Sequence, residues 1–455
     1  MSKTDEAYHE FVRICGKQQV LSWCEAISDY GRDSTTGQVL AFEWLVRPGC
    51  AEEVSGILKI CNEYRIAVTP RGGGSGVSGG ALPLTGGVVL SLERLNKIIS
   101  INEIDGFVIA ESGVVVSDLC DAVEALGYYY PAAPSSKGFS FVGGNVATDA
   151  GNIHSYLFGK TGDYVLNLEI ALPDGELIWT GANVSKSSSG LNLTRLFVGS
   201  EGLLGIITKV VCRISARPEQ ETMILAGFSG LKNAVDALVE MRRSGLPLSM
   251  GELFCPNTIK LVSDHLGEPL PLVKEGISHH LLFGCRGTGP VSEAQLVRMA
   301  EIVGRFTDEE LLVGQAASEK DRLMKLRHNI GNALVSNGRS YRDIDASVPL
   351  SALYGYILTV GAIAAKYEIP FVYFGHALDG NLHVMVQSAT DREALREIYA
   401  FVTDCGGVIS GEHGIGARQK EFMELQYSPK SMDIMRRIKH LFDPNGILNP
   451  QKVLE

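Results

Sequence analysis

The sequence predicts an α+β chain of two domains, and three observations carry that expectation. Its 455 residues exceed what one hydrophobic core ordinarily organises, so two domains of about 200 residues each are expected. Helix and strand patterns alternate from about residue 45 to Arg217-Pro218, interrupted by two glycine-rich stretches. Beyond residue 218 glycine thins and longer helical patterns appear between short strands, which fits an antiparallel sheet with flanking helices.

The elements follow in order. Val54, Ile57, Leu58 and Cys61 recur at helical spacing behind Glu52 and Glu53, with Pro48-Gly49 ahead of them. Ile66–Thr69 and Val88–Leu92 read as buried strands on either side of the first glycine-rich stretch. Ser117 is placed to cap a helix whose face is Leu119, Ala122, Val123 and Leu126, stopped by Gly127. Strands and turns are expected from there to the boundary at residue 218. Beyond it, helices are expected over Leu231–Arg243, 291–305, 316–336 and 351–367. A last helix shows Met435, Ile438 and Phe442 on one face and breaks at Asp443-Pro444-Asn445-Gly446.

Composition excludes several classes. Apolar content of 45% against 20% charge describes a folded protein rather than a disordered one. A net charge of −11 leaves no basic excess to displace counterions from phosphates, so no nucleic-acid partner is expected. The nine cysteines contain no CxxC pair, which argues against a zinc ribbon, a thioredoxin-type site or an iron–sulfur cluster. They read as small buried hydrophobes in a reducing compartment. Met1–Val20 carries charges throughout and lacks the apolar stretch of a signal peptide, and no run of about 18 apolar residues occurs. The expected location is cytoplasmic, with peripheral membrane contact left open.

Gly74, Gly76 and Gly79 match the spacing of a dinucleotide-binding fingerprint, but that fingerprint needs a helix starting at the loop. Pro83 and Gly86-Gly87 forbid a helix of useful length there. What remains is a glycine-rich loop between strands, either a solvated surface loop or an anion nest of successive N–H groups that can wrap a diphosphate. Pro70–Gly80 resembles the PRGGGTGLSGG pyrophosphate loop of FAD-binding domains of the vanillyl-alcohol-oxidase/PCMH type. Pro134-Ser135-Ser136 with Gly143 to Gly151 resembles that family's PSS…GGNVATNAGG stretch. Gly199–Thr208 resembles its GSEGTLGIIT segment, and Phe442–Pro450 its FDPNGILNP tail.

The resemblance runs in order from about residue 30 to the end of the chain. It implies a PCMH-type FAD-binding domain over 1–218, a substrate or cap domain over 219–425, and a segment over 426–455 returning to the FAD domain. Carried over position by position, it assigns cofactor contacts to Pro70, Arg71, Gly72, Gly73, Gly74, Ser75, Gly76, Ser78 and Gly79 in the first loop. In the second stretch it assigns Pro134, Ser135, Ser136, Gly143, Gly144, Asn145, Thr148 and Gly151. Glu201, Gly202, Gly205, Ile207 and Asn449 complete the set. No histidine stands in the first loop, and the second has only His154 after its glycines, so non-covalent FAD is expected.

In the second region, Gly375-His376-Ala377-Leu378-Asp379-Gly380-Asn381-Leu382-His383 reads as two strands around an Asp-Gly turn, which would bring His376 and His383 together. Gly411-Glu412-His413-Gly414-Ile415-Gly416 adds a carboxylate and a further histidine, and nearby His328 is counted as a fourth. Spacing alone leaves open a divalent-metal shell or hydrogen-bonded structural histidines. The two segments resemble the GHxGDGNLH and GEHGIG motifs of the D-2-hydroxyacid dehydrogenases within this flavoprotein family, a group acting on D-lactate, glycolate and D-2-hydroxyglutarate.

That resemblance implies His376, His383 and Glu412 as ligands of a divalent metal such as zinc or manganese, with His413 as general base. Arg327, in an LR element, would receive the substrate carboxylate, and Arg342 is a second candidate. The implied activity is oxidation of a D-lactate-like 2-hydroxy acid to the 2-oxo acid, with hydride passing to flavin N5. Two alternatives accompany it: a same-scaffold flavin oxidase of another alcohol or sugar, and an FAD-binding subunit of a larger complex. Leu378 departs from the motif, which usually has glycine there, and is expected to shift the turn or narrow the substrate space. The substrate, the electron acceptor and the assembly state, a homodimer included, are left open.

Overall fold

The computed structural model describes residues 3–34, 39–217, 220–268, 270–387 and 392–454. Met1, Ser2 and the boundary residues Pro218 and Glu219 lie outside the described residues. The chain divides into two compact units. One comprises Met1–Asn152, Gly159–Arg217 and Glu412–Glu455; the other comprises Ile153–Phe158 and Pro218–Gly411.

The first unit holds two main sheets. β1 (Val20–Ser22), β2 (Trp44–Val46), β3 (Val68–Arg71) and β4 (Val88–Ser91) form a sheet in the order β1-β2-β4-β3, with β2 and β3 both parallel to β4. All four residues of β4 are buried, as a central parallel strand covered on both faces requires. The helix Ala51–Tyr64 buries Val54, Ile57, Leu58 and Cys61 against this sheet, the face its spacing predicts. The helix Lys3–Cys15 adds Ala7 and Phe11 to the same core. β5 (Ile98–Asn102), β6 (Phe107–Glu111), β8 (Val165–Ala171), β9 (Leu177–Trp179) and β10 (Ile206–Arg213) form the second, antiparallel sheet in the order β5-β6-β10-β8-β9. β7 (Tyr128–Tyr129) pairs with β11 (Ser215–Ala216).

Three expectations change here. The strand expected at Ile66–Thr69 lies two residues later, at Val68–Arg71. Ser117 does not cap its helix, which runs Val116–Glu124 behind Val115. The main chain supplies the cap instead, because Val116 and Ser117 donate their N–H groups to Ser140 and Lys137 carbonyls; Leu126 is left exposed. The third change is that Val142–Thr148, Ser155–Phe158 and Leu193–Phe197 are short helices in a stretch expected to hold strands and turns. Each is too short to display a helical period in sequence.

The C-terminal segment closes the first unit. Ser428 caps the helix Pro429–Phe442 through Ser431 N–H at 3.1 Å. Met432 and Lys439 are the residues this helix buries, while the expected face of Met435, Ile438 and Phe442 is only half-buried. The Lys439 ammonium donates to Leu203 O at 2.9 Å, to Leu448 O at 2.8 Å and to the Asp443 carboxylate. Asp443 in turn accepts the N–H groups of Ile447 and Leu448, at 3.0 and 2.8 Å. So shaped, the tail lies alongside β3: Val68 donates to Ile447 and Asn449 to the Val68 carbonyl.

The second unit is one seven-stranded sheet of β12 (Gln220–Phe228), β13 (Leu248–Phe254), β14 (His279–Gly287), β15 (Leu312–Gly314), β16 (Tyr341–Ser347), β17 (Phe371–His376) and β18 (Asn381–Gln387). Its order is β15-β12-β14-β13-β17-β18-β16, and every neighbouring pair is antiparallel. The flanking helices include Leu231–Arg243, Gly289–Val303, Ala317–Ser336 and Leu353–Lys366, close to the expected spans. Among the described residues no helix is long and apolar enough to cross a membrane.

Lys439→Ala leaves Asp443 buried without its cation. This variant should lose about 3–5 kcal/mol of stability, the usual cost of breaking a buried pair from one side, read as a lower urea midpoint at unchanged slope.

Candidate active site

In the first unit the two glycine-rich stretches face a common cleft enclosing about 970 Å³ out to its mouth. Its lining includes Pro70, Arg71, Gly72, Gly73, Gly74, Ser75, Gly76 and Ser78 of the first loop, and Gly143, Gly144, Asn145 and Thr148 of the short helix. Glu201, Gly202, Gly205, Ile207, Asn449 and His413 complete the predicted residues found there. Gly79, Pro134, Ser135, Ser136 and Gly151 are not part of the lining. Gly151 instead lies against the Glu412 carboxylate. The sequence reading did not assign Gly80, Ala81, Leu92, Ser112, Phe141, Ala147 and Ile206; Gly80, Ala147 and Ile206 stand inside the motif stretches, whereas Leu92, Ser112 and Phe141 stand in none.

The first loop is an open array of donors. No main-chain N–H from Gly73 to Gly80 donates to another described residue. Beneath the loop, the Arg71 guanidinium donates to Arg32 O at 2.5 Å and lies over the Tyr30 ring. Gly73 packs so closely on the second stretch that a Cβ there would stand 2.1 Å from Phe139 O. Two buried side-chain groups in the cleft, Asn145 Nδ2 and Ser112 Oγ, lack any partner among the described residues. Such groups are costly unless a ligand or water takes them.

The return segment is braced beside this cleft. Glu201 takes the Ile415 N–H on Oε1 and the Gly416 N–H on Oε2, both at 2.8 Å. Burial pushes the Glu201 carboxyl up, opposed by those two donors. Ser78 Oγ donates to the carbonyls of His413 and Gly414, each at 2.9 Å. His413 Nε2 stands 3.7 Å from Glu412 Oε1.

In the second unit, strand alternation gathers polar side chains on one sheet face. His376 registers against Glu252, Phe374 against His383, and His383 against Asp345. Paired residues share a face. The two imidazoles sit 5.5 Å apart, centroid to centroid, at 83°. An ion held by one nitrogen of each ring requires centroids within about 6.5 Å, given metal–nitrogen bonds of about 2.1 Å. The pair therefore meets the geometric condition that the hairpin expectation set.

Glu252 is fully buried and divides its oxygens: Oε1 accepts His376 Nδ1–H at 2.6 Å and Oε2 accepts Arg327 Nε–H at 2.7 Å. Burial alone would raise this carboxyl, but the His376 and Arg327 charges overcome it and hold the group down at about 2. Behind His383, Asp343 Oδ2 lies 3.4 Å from Nδ1. Asp345 accepts Asn381 Nδ2, Ser410 Oγ and the Gly411 N–H, at 2.9, 2.9 and 3.0 Å.

The other sequence candidates fall elsewhere. Arg342 alternates with Asp343 along β16, so it emerges on the face opposite His383. His328 is exposed on its helix next to Arg327. Leu378 is buried beside Gly251, whose added Cβ would meet Leu378 Cγ at 2.5 Å and approach Leu238 of the helix Leu231–Arg243. Gly251 precedes Glu252 on β13 and so faces the opposite side of the sheet. The leucine therefore fills helix-side space that a glycine leaves, and the expected crowding of the polar face does not occur.

Two family models match the chain: the FAD binding domain over residues 42–181, and the C-terminal domain of FAD linked oxidases over residues 217–453. The chain belongs to the FAD-linked oxidases. Among curated relatives, a glycolate oxidase subunit GlcD of Bacillus subtilis is 32% identical over 93% of this chain and 91% of its own. A D-lactate dehydrogenase of Archaeoglobus fulgidus is 34% identical over 90% and 91%. A mitochondrial D-2-hydroxyglutarate dehydrogenase of Bos taurus is 32% identical over 90% and 76%. Among solved structures, p-cresol methylhydroxylase with substrate bound has a TM-score of 0.79 at 18% identity, covering 100% of this chain and 97% of its own. The 4-ethylphenol oxidase of Gulosibacter chungangensis gives 0.77 at 19%, covering 99% and 97%. These two establish the fold alone.

The cleft of this FAD-linked oxidase fits its cofactor. The N–H array suits a diphosphate, and Asn145 Nδ2 and Ser112 Oγ are further polar groups facing the cleft without a partner among the described residues.

Two outcomes are expected. Gly73→Ala forces the two stretches apart, and the purified protein should carry at least tenfold less flavin at equal FAD, read from absorbance near 450 nm. The Glu252 carboxyl, depressed from 4.5 to about 2, contributes stability that is present above pH 4.5 and lost as pH falls through about 2. The contribution is about 3 kcal/mol at 1.4 kcal/mol per pH unit. Acid unfolding of Glu252→Gln should lack that part of the pH slope.

Proposed function

We propose that this FAD-linked oxidase oxidises a D-2-hydroxy acid, D-lactate or a close analogue, to the 2-oxo acid. The observation that carries the reading is the sheet face of the second unit, where two imidazoles stand side by side and one of them, His376, shares the buried Glu252 carboxylate with Arg327. A 2-hydroxy acid presents a hydroxyl next to a carboxylate, which calls for a site that polarises the one and grips the other. The relatives named for glycolate, D-lactate and D-2-hydroxyglutarate support the same class.

His376, His383 and Glu412 would hold a divalent cation, zinc or manganese, whose charge favours loss of the substrate's hydroxyl proton. With Nδ1 of His376 committed to Glu252, Nε2 is the nitrogen offered to the metal. Arg327 receives the substrate carboxylate through its outer nitrogens. His413 accepts the hydroxyl proton, a role that imidazoles commonly take. FAD held in the glycine-lined cleft would supply the acceptor for the hydride leaving the carbinol carbon. The glycine loop, Asn145 and Ser112 orient FAD and exclude water from its pyrophosphate.

A second reading is favoured by the name of the Bacillus subtilis relative, a subunit. On that reading the chain is the FAD-binding subunit of a larger assembly and passes its electrons to a partner chain.

The test is an anaerobic spectrum. Addition of D-lactate should bleach the flavin bands, more slowly after EDTA, and His413→Ala should slow bleaching at least a hundredfold with flavin retained. A yellow spectrum unchanged by D-lactate, glycolate and longer 2-hydroxy acids overturns the substrate class.

A further inference from the structure

We propose that Glu252 is the positioning residue of this site, fixing through one carboxylate both the imidazole of His376 and the receptor edge of Arg327. The inference rests on the metal-and-carboxylate reading of the sheet face and goes beyond it, since it assigns the alignment of two functional arms to a residue that touches neither substrate nor metal.

β13 is buried at every one of its seven residues, Leu248–Phe254, and Glu252 is its only charge. A carboxylate in such a strand is tolerated only when its oxygens are satisfied. Each oxygen here has a different partner, and those partners lie 75 and 124 positions away along the chain. The link to His376 enters at Nδ1, which sets the tautomer and leaves Nε2 as the coordinating nitrogen.

The link to Arg327 enters at Nε, the inner nitrogen of the guanidinium. The Nη1–Nη2 edge, whose spacing matches a carboxylate, is thereby turned outward. Among the described residues neither of those nitrogens has a hydrogen bond or ion pair, and the Phe374 ring supports the guanidinium carbon at 5.7 Å. Arg327 engages Glu252 through one nitrogen and keeps the edge that binds carboxylates.

The same sheet face holds an internal comparison. Arg286 also contacts a carboxylate through Nε, that of Glu221 at 3.3 Å, and is comparably buried. Glu221 registers against Arg286 on β12 and β14, and its neighbours are Ser249 and His154 rather than the paired imidazoles. It supplies a less deeply buried carboxylate–arginine contact that does not touch His376.

The experiment compares wild type, Glu252→Gln, Glu252→Asp and Glu221→Gln as full-length FAD-loaded protein, each normalised to bound flavin. Two quantities are read: affinity for Zn²⁺ in competition with a chromogenic chelator, and KM and kcat for the 2-hydroxy acid that wild type reduces fastest with. Glu252→Gln should bind zinc at least tenfold more weakly and raise KM at least tenfold with flavin content unchanged. Glu252→Asp, which keeps the charge, should recover part of both. Glu221→Gln should leave both at wild-type values, whatever it does to the melting temperature.

Should Glu252→Gln not fold, Glu252→Asp carries the test, with a shift of at least threefold in both readouts expected. Either readout staying at its wild-type value in the Glu252 variant overturns the proposal while leaving the substrate reading intact. A wild type that neither binds zinc nor oxidises any 2-hydroxy acid brings down the substrate reading and the role of Glu252 with it.

Discussion

Glu201 sits half-buried with a positive φ, an unusual conformation for a residue other than glycine, and its carboxylate oxygens each receive one main-chain N–H from the return segment. Its own carbonyl accepts Asn449 Nδ2 at 2.7 Å, and Asn449 also reaches Gly80 O at 3.3 Å. The buried Lys452 ammonium joins them through Gly80 O. Four stretches far apart in the chain, the glycine loop, the Glu201 turn, the His413 bend and the C-terminal tail, therefore share one polar knot at the cofactor cleft. Were it looser, the array of N–H groups facing the cleft would lose its shape, since among the described residues the N–H groups of Gly73 to Gly80 make no bonds that hold it.

The second unit handles its buried charge differently. Its sheet is apolar on the helix-covered side, where Leu378 and Gly251 fit together, and polar on the other, where Glu252, Asp343 and Asp345 stand behind the two histidines and Arg327. Each carboxylate answers to a cation, an imidazole or main-chain N–H groups, so the unit tolerates a row of charges that would otherwise oppose folding. A face so committed to orienting a few side chains is typical of a site and atypical of a core.

Much of the cleft was legible in the sequence because glycine clusters, turns and strand alternation are set within a few neighbouring residues. The first loop, the His376–His383 hairpin and the helix faces at Val54–Cys61 and Leu231–Arg243 all follow from such local rules. Glu252 had a signal, a lone charge in an apolar strand, that pattern-reading passed over. Ser112 had none. Pro134–Ser136 resembled a cofactor segment in sequence, yet lies outside the cleft lining, where it forms the turn that carries Lys137, Phe139 and Ser140 into place. The short helices at Val142–Thr148 and Leu193–Phe197 were invisible for want of a full period.

The sequence by itself determined the family, the glycine-rich cofactor loops and which histidines face one another, since a period of two across a tight turn leaves little choice. Only the tertiary structure decided which buried groups hold them. Glu252 with Arg327, Glu201 with Gly416, and Ser78 with His413 are separated by 75, 215 and 335 residues. Pairings at that range depend on sheet order and strand register, which no short stretch of the chain encodes.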